Sequence, residues 1–185
     1  MQPGLVVVDP FAAMIDTAIQ ALPAPLWVPW PPPPGWRFAG LSHGAVPPGA
    51  GSGTAACWSG TDPFEDPVET LFVCEEAGAG LGGLFSGLRT HYPTPNVGIG
   101  PPDARFLVEG RSTPLSSVDA VSDRAVYVGE AAGRWLWVIV HPAEGSALVV
   151  SPLTLVDARS LGAELAMLPL GELSPRLLVE VPPEL

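Results

Sequence analysis

Proline and glycine recur so often along this chain that long helices are excluded. Of its 185 residues, 24 are proline and 21 are glycine. Proline inside a helix removes a backbone hydrogen bond and clashes with the preceding turn, and glycine there carries an entropic cost. Most of the chain from residue 37 to residue 156 instead consists of short apolar or alternating segments bounded by Gly, Pro, Asp and Ser. This pattern is typical of strands and turns.

Seven such segments are predicted to be strands, namely 37–41, 54–59, 70–75, 105–109, 125–129, 135–141 and 147–150. The last two are separated by only five residues and therefore predict a hairpin. Apolar residues at helical spacing follow Asp9-Pro10 over residues 9–22 and follow Asp157 over residues 157–167, and both are helix-start signals. The predicted fold class is α+β: a mainly antiparallel or mixed β-sheet with an N-terminal helix and one C-terminal helix.

The length of the chain fits one domain. We predict a single globular domain over residues 1–178 and a loosely ordered tail over residues 179–185. Residues 47–53 and 91–103 are rich in Pro and Gly. They are predicted to be loops rather than linkers, because neither flank is large enough to fold comfortably alone.

Composition excludes several classes of function. All eight basic residues are arginine, so P-loop nucleotide binding, Schiff-base chemistry and Ser-x-x-Lys acyl transfer, which each need a lysine, are excluded. The acidic net charge of −11 opposes binding to nucleic acid. No apolar run approaches the roughly 20 residues that span a bilayer, and no basic residue precedes the N-terminal apolar run as in a secretory signal. We therefore expect a cytoplasmic protein that binds neither nucleic acid nor membranes.

The two cysteines lie on separate predicted strands. Neither Cys57 nor Cys74 has another Cys or a His at ligand spacing, so no zinc site, and no metal or other cofactor, is expected. Buried free thiols are the favoured interpretation for a reducing compartment.

Two strings match catalytic or cofactor motifs without their structural context. Residues 40–44 match G-x-S-x-G, and Asp119 or Asp123 followed by His141 would complete a triad in the order of the α/β-hydrolases. That motif needs a helix after the serine, and the following Pro47-Pro48-Gly49 prevents one. Residues 78–83 match G-x-G-x-x-G, but only a short helix can follow them, and two glutamates precede them. A glycine-rich turn is therefore predicted instead of a dinucleotide site.

Three tryptophans surround four consecutive prolines, residues 31–34. Trp27, Trp30 and Trp36 either pack against this stretch in the core of the chain or form an exposed apolar patch for a partner. Because the three rings are so close in sequence, packing within the core is the favoured interpretation of the segment, and the exposed patch is kept as the functional alternative.

Charged residues supply the other candidates. Glu75 or Glu76 could act as half of a metal or acid-base site with Glu130 or Asp123 as a partner. Consecutive strand residues point to opposite faces, and solvated strand-end carboxylates are the favoured interpretation. Arg124, Glu130 and Arg134 could hold an anionic ligand, and ion pairing across a turn is the default interpretation.

The chain resembles an uncharacterised actinobacterial family over residues 23–178. The resemblance is carried by Pro25–Pro31 with Gly35-Trp36, by Glu75–Gly82, by Arg124–Trp137, and by Leu168-Pro169 with Ser174–Arg176. It implies a bacterial domain of unknown function, often preceded by a Cys-rich, zinc-ribbon-like segment, with some members labelled phosphotransacetylase. This chain begins near the first predicted helix without such a segment, so a shorter form or a downstream start is expected.

The leading hypothesis is a non-enzymatic binding or interaction module with a protein partner, centred on the tryptophan segment. The alternative is a small-molecule enzyme, such as an acyl or phosphate acetyl transferase. It would use Glu75 or Glu76 with Arg124 or Arg134 around the glycine string, and it predicts that these groups converge on one pocket.

Overall fold

A computed structural model describes residues 4–88, 93 and 97–181 of the chain. Regular elements follow in the order β1 (Leu5–Val8), α1 (Ile15–Gln20), β2 (Trp27–Pro29), β3 (Arg37–Gly44), β4 (Gly53–Thr61), β5 (Pro67–Glu75), α2 (Leu81–Ser86), β6 (Ala104–Val108), β7 (Arg111–Val118), β8 (Ala125–Ala131), β9 (Arg134–His141) and β10 (Thr154–Asp157). Six of the seven predicted strands are confirmed, with small shifts at their ends.

The strands form one sheet in the order β1-β3-β4-β5-β9-β8-β7-β6-β10-β2. Neighbouring strands are antiparallel except β6 and β10, which are parallel. The predicted mainly antiparallel or mixed sheet is therefore confirmed.

The hairpin predicted between residues 135–141 and 147–150 is wrong. Ala143–Val150 forms a 3-10 helix, and β9 instead makes a hairpin with β8 through Ala132 and Gly133. Both turn residues have positive φ, 52° and 72°, which matches the twist of a tight two-residue hairpin. Pro142 follows β9 directly and has no N–H to continue a ladder.

Neither predicted helix has its predicted form. The N-terminal helix is only Ile15–Gln20, because the Asp9 carboxylate accepts a hydrogen bond from the Phe11 amide at 2.8 Å and closes a local turn instead. The predicted C-terminal α-helix is a pair of 3-10 turns, Ala158–Ser160 and Gly162–Met167.

The sheet buries a separate apolar cluster on each of its faces, because successive strand residues point to opposite sides. On the first face, Trp58, Phe72 and Val138 pack with the segment around α1 and β2. On the second face, the sheet packs against α2 and against the C-terminal segment, residues 171–179, through Leu177. The second face carries the site described below.

The cysteines are buried and free, as predicted. Cys57 belongs to the second-face cluster and Cys74 to the first-face cluster. The sheet therefore separates the two thiols.

The C-terminal segment is bonded to the sheet at β3. The amides of Gly171 and Ser174 donate to the carbonyls of Phe38 and Ala39, each at 2.9 Å. Val179, the first residue of the predicted loose tail, packs against the second-face cluster, whereas residues 182–185 lie outside the described residues.

Asp157→Ala is expected to lower the free energy of unfolding by about 2 kcal/mol, because buried partners would be left unpaired. The Asp157 carboxylate accepts from the buried Leu26 amide at 3.2 Å and from the Arg159 guanidinium at 2.8 Å. Arg159 in turn donates to the Leu22 carbonyl at 3.2 Å. Urea unfolding would measure the loss. The exposed Asp16→Ala is the control, with an expected change within about 0.5 kcal/mol; equal losses in both variants would contradict this account.

Candidate functional site

The tryptophans do not form an exposed patch. Trp27 and Trp36 are 2% and 4% exposed within the first-face core, and the half-buried Trp30 donates its indole N–H to Glu164 at 2.7 Å. Gly60 leaves the space that the Trp36 ring fills, since a Cβ at Gly60 would lie 2.3 Å from that ring. The predicted exposed docking surface is therefore wrong, and the core-packing alternative describes these rings.

Glu75 is a fully buried carboxylate at the end of β5, on the second face. Its Oε2 accepts from the amides of Leu81 and Gly82 at 2.7 and 3.2 Å, at the start of α2. Burial raises the pKa of Glu75 to about 7, although these amides and the nearby Trp137 indole oppose the rise.

The amides at the end of the glycine string are therefore already bonded to a side chain of the protein itself. In a dinucleotide site, amides at a helix start hold a pyrophosphate, but here the Glu75 carboxylate occupies the amides of Leu81 and Gly82. The short helix expected after the string is confirmed as α2, which is six residues long.

Arg124 holds the other end of α2. Its Nη1 donates to the Phe85 carbonyl at 2.9 Å, while its Nε donates to Asp123 at 2.7 Å. A carboxylate at the first turn and a guanidinium at the last turn both complement the helix dipole. Glu75 and Arg124 thus act on α2 as structural groups at its two ends.

Arg134 and Glu130 lie apart from these groups. Arg134 pairs with Glu76 at 3.6 Å. Arg134 directly precedes Trp135, which packs on the second face, and Glu76 directly follows Glu75. Because successive strand residues point to opposite sides, Arg134 and Glu76 lie on the opposite face from Glu75. Glu130 is exposed on β8 and lines a different cavity, of about 370 Å³, beside Trp135. The Arg124, Glu130 and Arg134 grouping is not formed, and the charged groups of the enzyme hypothesis do not converge on one pocket.

Ser42 cannot sit on a nucleophile elbow. It is fully buried within β3, which continues to Gly44 and is followed by no helix. This agrees with the expectation drawn from the prolines that follow it.

A polar cleft that the sequence reasoning missed lies on the second face, at the ends of β4, β5 and β9. The strand register places Ser59 beside Glu69 and Glu69 beside His141. We call it the His141 cleft, and its volume is about 700 Å³. Its polar lining comprises Ser59, Glu69, Ser122, Asp123, His141, Glu144 and Arg176.

The C-terminal segment supplies one wall of the His141 cleft. Ser174, 2% exposed, donates its hydroxyl to Oε1 of Glu69. Arg176 donates from Nε to Oε2 of Glu69 at 3.1 Å. Glu69 therefore ties residues 171–179 to the centre of the sheet.

His141 is the most unusual group of the cleft. It is 3% exposed, and within the described residues its Nδ1 has no hydrogen-bond partner. Burial lowers the pKa of His141 to about 4, helped by the charges of Arg176 and Arg124 and opposed by Asp123 and Glu69. The imidazole is therefore neutral at physiological pH.

The arrangement suits binding better than nucleophilic catalysis. Glu69 lies between Ser59 and His141 in the cross-strand row, so the strands that carry the latter two are about 10 Å apart. The Ser174 hydroxyl donates to Glu69, and Ser122 is exposed in the turn before β8. Among the described residues, none of these three serines makes the contact with an imidazole base that an activated nucleophile requires.

Sequence signals for this cleft were weak. In the sequence His141 stood out only as the last member of an incomplete catalytic triad, and it ends β9. The string Ser174-Pro175-Arg176 belongs to the family resemblance, but no spacing connects it with Glu69 or His141. The three meet only because β5 pairs with β9 and the C-terminal segment crosses them.

Among the described residues no helix has the length and apolar character that crossing a bilayer requires. In the same part of the chain, no three His, Cys, Asp or Glu side chains are grouped as a metal site would need.

Comparisons with known proteins identify a family without an assigned activity. Neither curated proteins nor solved structures gave a match. A family profile matches residues 1–177, and the chain accordingly belongs to the Family of unknown function (DUF6758).

Proposed function

We propose that this chain is a non-enzymatic, cytoplasmic binding module and that the His141 cleft is its ligand site. One observation carries the proposal: His141 lines a wide polar cleft, is 3% exposed, and leaves a buried ring nitrogen without a partner in the described structure. A buried polar atom without a partner costs about 1–3 kcal/mol. The atom is inaccessible in this conformation, so a ligand that hydrogen-bonds it after the ring turns toward the cleft would recover part of that energy.

The surroundings of His141 support a preformed site. Glu69 is held by both Ser174 and Arg176, and Asp123 is held by Arg124. These side chains are already ordered, so a ligand need not immobilise them on binding. Convergent, fixed polar groups in one concave site are typical of ligand pockets.

The test is a ligand screen read at His141 itself. We expect a binding metabolite to raise the melting temperature of the chain and to shift the ring resonances of His141 in NMR of histidine-labelled protein. The chain has three histidines, and His141→Asn identifies the signal. The panel includes amines, carboxylic acids, sugars, nucleotides, acetyl phosphate and coenzyme A.

Two outcomes would contradict the proposal. Ligands that stabilise the chain but leave the His141 signals unchanged would place the site elsewhere. Turnover of a bound compound, such as acetyl transfer between phosphate and coenzyme A, would make the chain an enzyme and restore the acyl transferase alternative.

A further inference from the structure

We infer that the His141 cleft selects an organic cation, an ammonium or guanidinium group carried on a short aliphatic chain. This inference rests on the proposed function and specifies the chemistry of its ligand. It is carried by the charges that line the cleft together with the unpartnered, buried imidazole.

The ionised groups of the lining are predominantly acidic. Three carboxylates, Glu69, Asp123 and Glu144, face one guanidinium, Arg176, which gives a net charge of −2. The Arg124 guanidinium lies outside the lining but pairs with Asp123 at 2.7 Å, and with its charge included the net charge is still negative, −1. The whole chain carries −11, so its long-range field also attracts cations and repels anions.

Glu144 is the carboxylate that a ligand would meet first. The oxygens of Glu69 accept from Ser174 and Arg176, and those of Asp123 accept from Arg124. Glu144 is exposed and makes no hydrogen bond or ion pair with any described residue. It is therefore the carboxylate available to a cation that enters the cleft.

The imidazole is compatible with the same class of ligand. An uncharged imidazole has one nitrogen that accepts a hydrogen bond, and it does not repel a positive charge. An N–H group of the ligand can donate to that nitrogen. Pro67, Val68 and Pro142 also line the cleft and offer apolar contact to methylene groups.

Matched four-carbon probes test the charge preference. Putrescine carries two ammonium groups, butanediol is neutral and succinate carries two carboxylates, so length is held nearly constant while charge changes. We expect putrescine to shift the His141 resonances and to give a saturable isotherm in calorimetry, whereas butanediol and succinate do neither. A short lysine peptide in parallel distinguishes a side chain of a protein partner from a free amine.

Variants of opposite sign sharpen the test. Glu144→Gln should weaken putrescine binding about two- to fivefold, and Arg176→Gln should strengthen it by a similar factor, as expected for exposed charge pairs. Glu130→Gln makes the same charge change on β8, outside the cleft lining, and should leave the affinity unchanged. All three side chains are exposed, so the variants should fold.

The outcomes separate this inference from the proposed function. Succinate that shifts His141 more than putrescine does would overturn the cation preference while leaving the cleft as a binding site. Equal losses in Glu144→Gln and Glu130→Gln would also overturn it, because the effect would then be one of overall charge. If no probe and no member of the wider screen shifts His141, both ideas fail.

Discussion

Gly82→Ala should lower the free energy of unfolding by about 3 kcal/mol or more, as expected for severe overpacking of a rigid core. Gly82 lies in α2 against the indole of Trp137, and a Cβ there would come within 2.1 Å of the ring. Trp137 is fully buried among the residues of the second face, so the ring has no free space to move into. In an unobstructed helix the same substitution would stabilise the protein by about 1 kcal/mol, so even the sign of the result is diagnostic.

A second variant locates the cause of that loss. In a Trp137→Leu background the clash is removed, and Gly82→Ala should then cost less than about 1 kcal/mol, giving a strong coupling between the two sites. Gly133→Ala is the comparison for a substitution without a clash. Its Cβ would meet nothing within 4 Å, so its expected loss is the backbone strain at φ +72° alone, about 1–2 kcal/mol. Additive losses at residues 82 and 137 in urea unfolding would show that the contact is not responsible.

Glu75 and His141 should give the chain two pH dependences of opposite sign. The pKa of Glu75 is raised to about 7 from 4.5, so the folded state holds the proton more tightly. The contribution of Glu75 to the stability of the fold is therefore complete below about pH 4.5. It is lost as the pH rises to about 7, by about 3 kcal/mol in total.

The pKa of His141 is lowered to about 4 from 6.5. The contribution of His141 to stability is therefore complete above about pH 6.5 and is lost as the pH falls to 4. The open cleft screens His141, and its contribution is smaller, about 1–2 kcal/mol.

Single substitutions isolate the contribution of each group to the pH dependence of stability. Glu75→Gln removes the destabilisation that the wild type suffers between pH 4.5 and 7, so its stability relative to the wild type should increase over that range. His141→Asn should instead gain on the wild type as pH falls from 6.5 to 4. Urea unfolding at several pH values measures both, and Glu130→Gln, exposed on β8, serves as the reference. A Glu75→Gln profile parallel to that of the wild type would contradict the buried-carboxylate account.

Most strands could be predicted from local sequence. Segments such as β5 and β9 alternate or concentrate apolar residues and are bounded by turn residues, and that pattern depends only on the two-residue repeat of a strand. The helices could not be predicted in the same way. Asp9 closes a local turn instead of starting a helix. Asp157 does act as an N-cap and accepts from the Arg159 amide at 3.1 Å, but the element it caps is a three-residue 3-10 turn.

The candidate site depended almost entirely on long-range packing. Glu75 was expected to be a solvated strand-end carboxylate, and that expectation is wrong because the residue is fully buried. Its role depends on the packing of α2 on the sheet, which brings the Leu81 amide to its carboxylate. The burial of Trp36 required Gly60, a residue of another strand. Composition and local pattern cannot report either contact, because both depend on how the chain folds back on itself in three dimensions.

By itself the sequence determined a sheet-rich fold, two free cysteines, the exclusion of lysine-dependent chemistry and membership of a family. These follow from residue identity and short-range periodicity, which do not depend on what lies across the sheet. Only the tertiary structure decided where function can reside. The His141 cleft exists because β4, β5 and β9 align Ser59, Glu69 and His141 in one row and the C-terminal segment brings Arg176 to Glu69. The physical reason is that a binding site is a juxtaposition of side chains, and strand register and segment packing, rather than local sequence, set that juxtaposition.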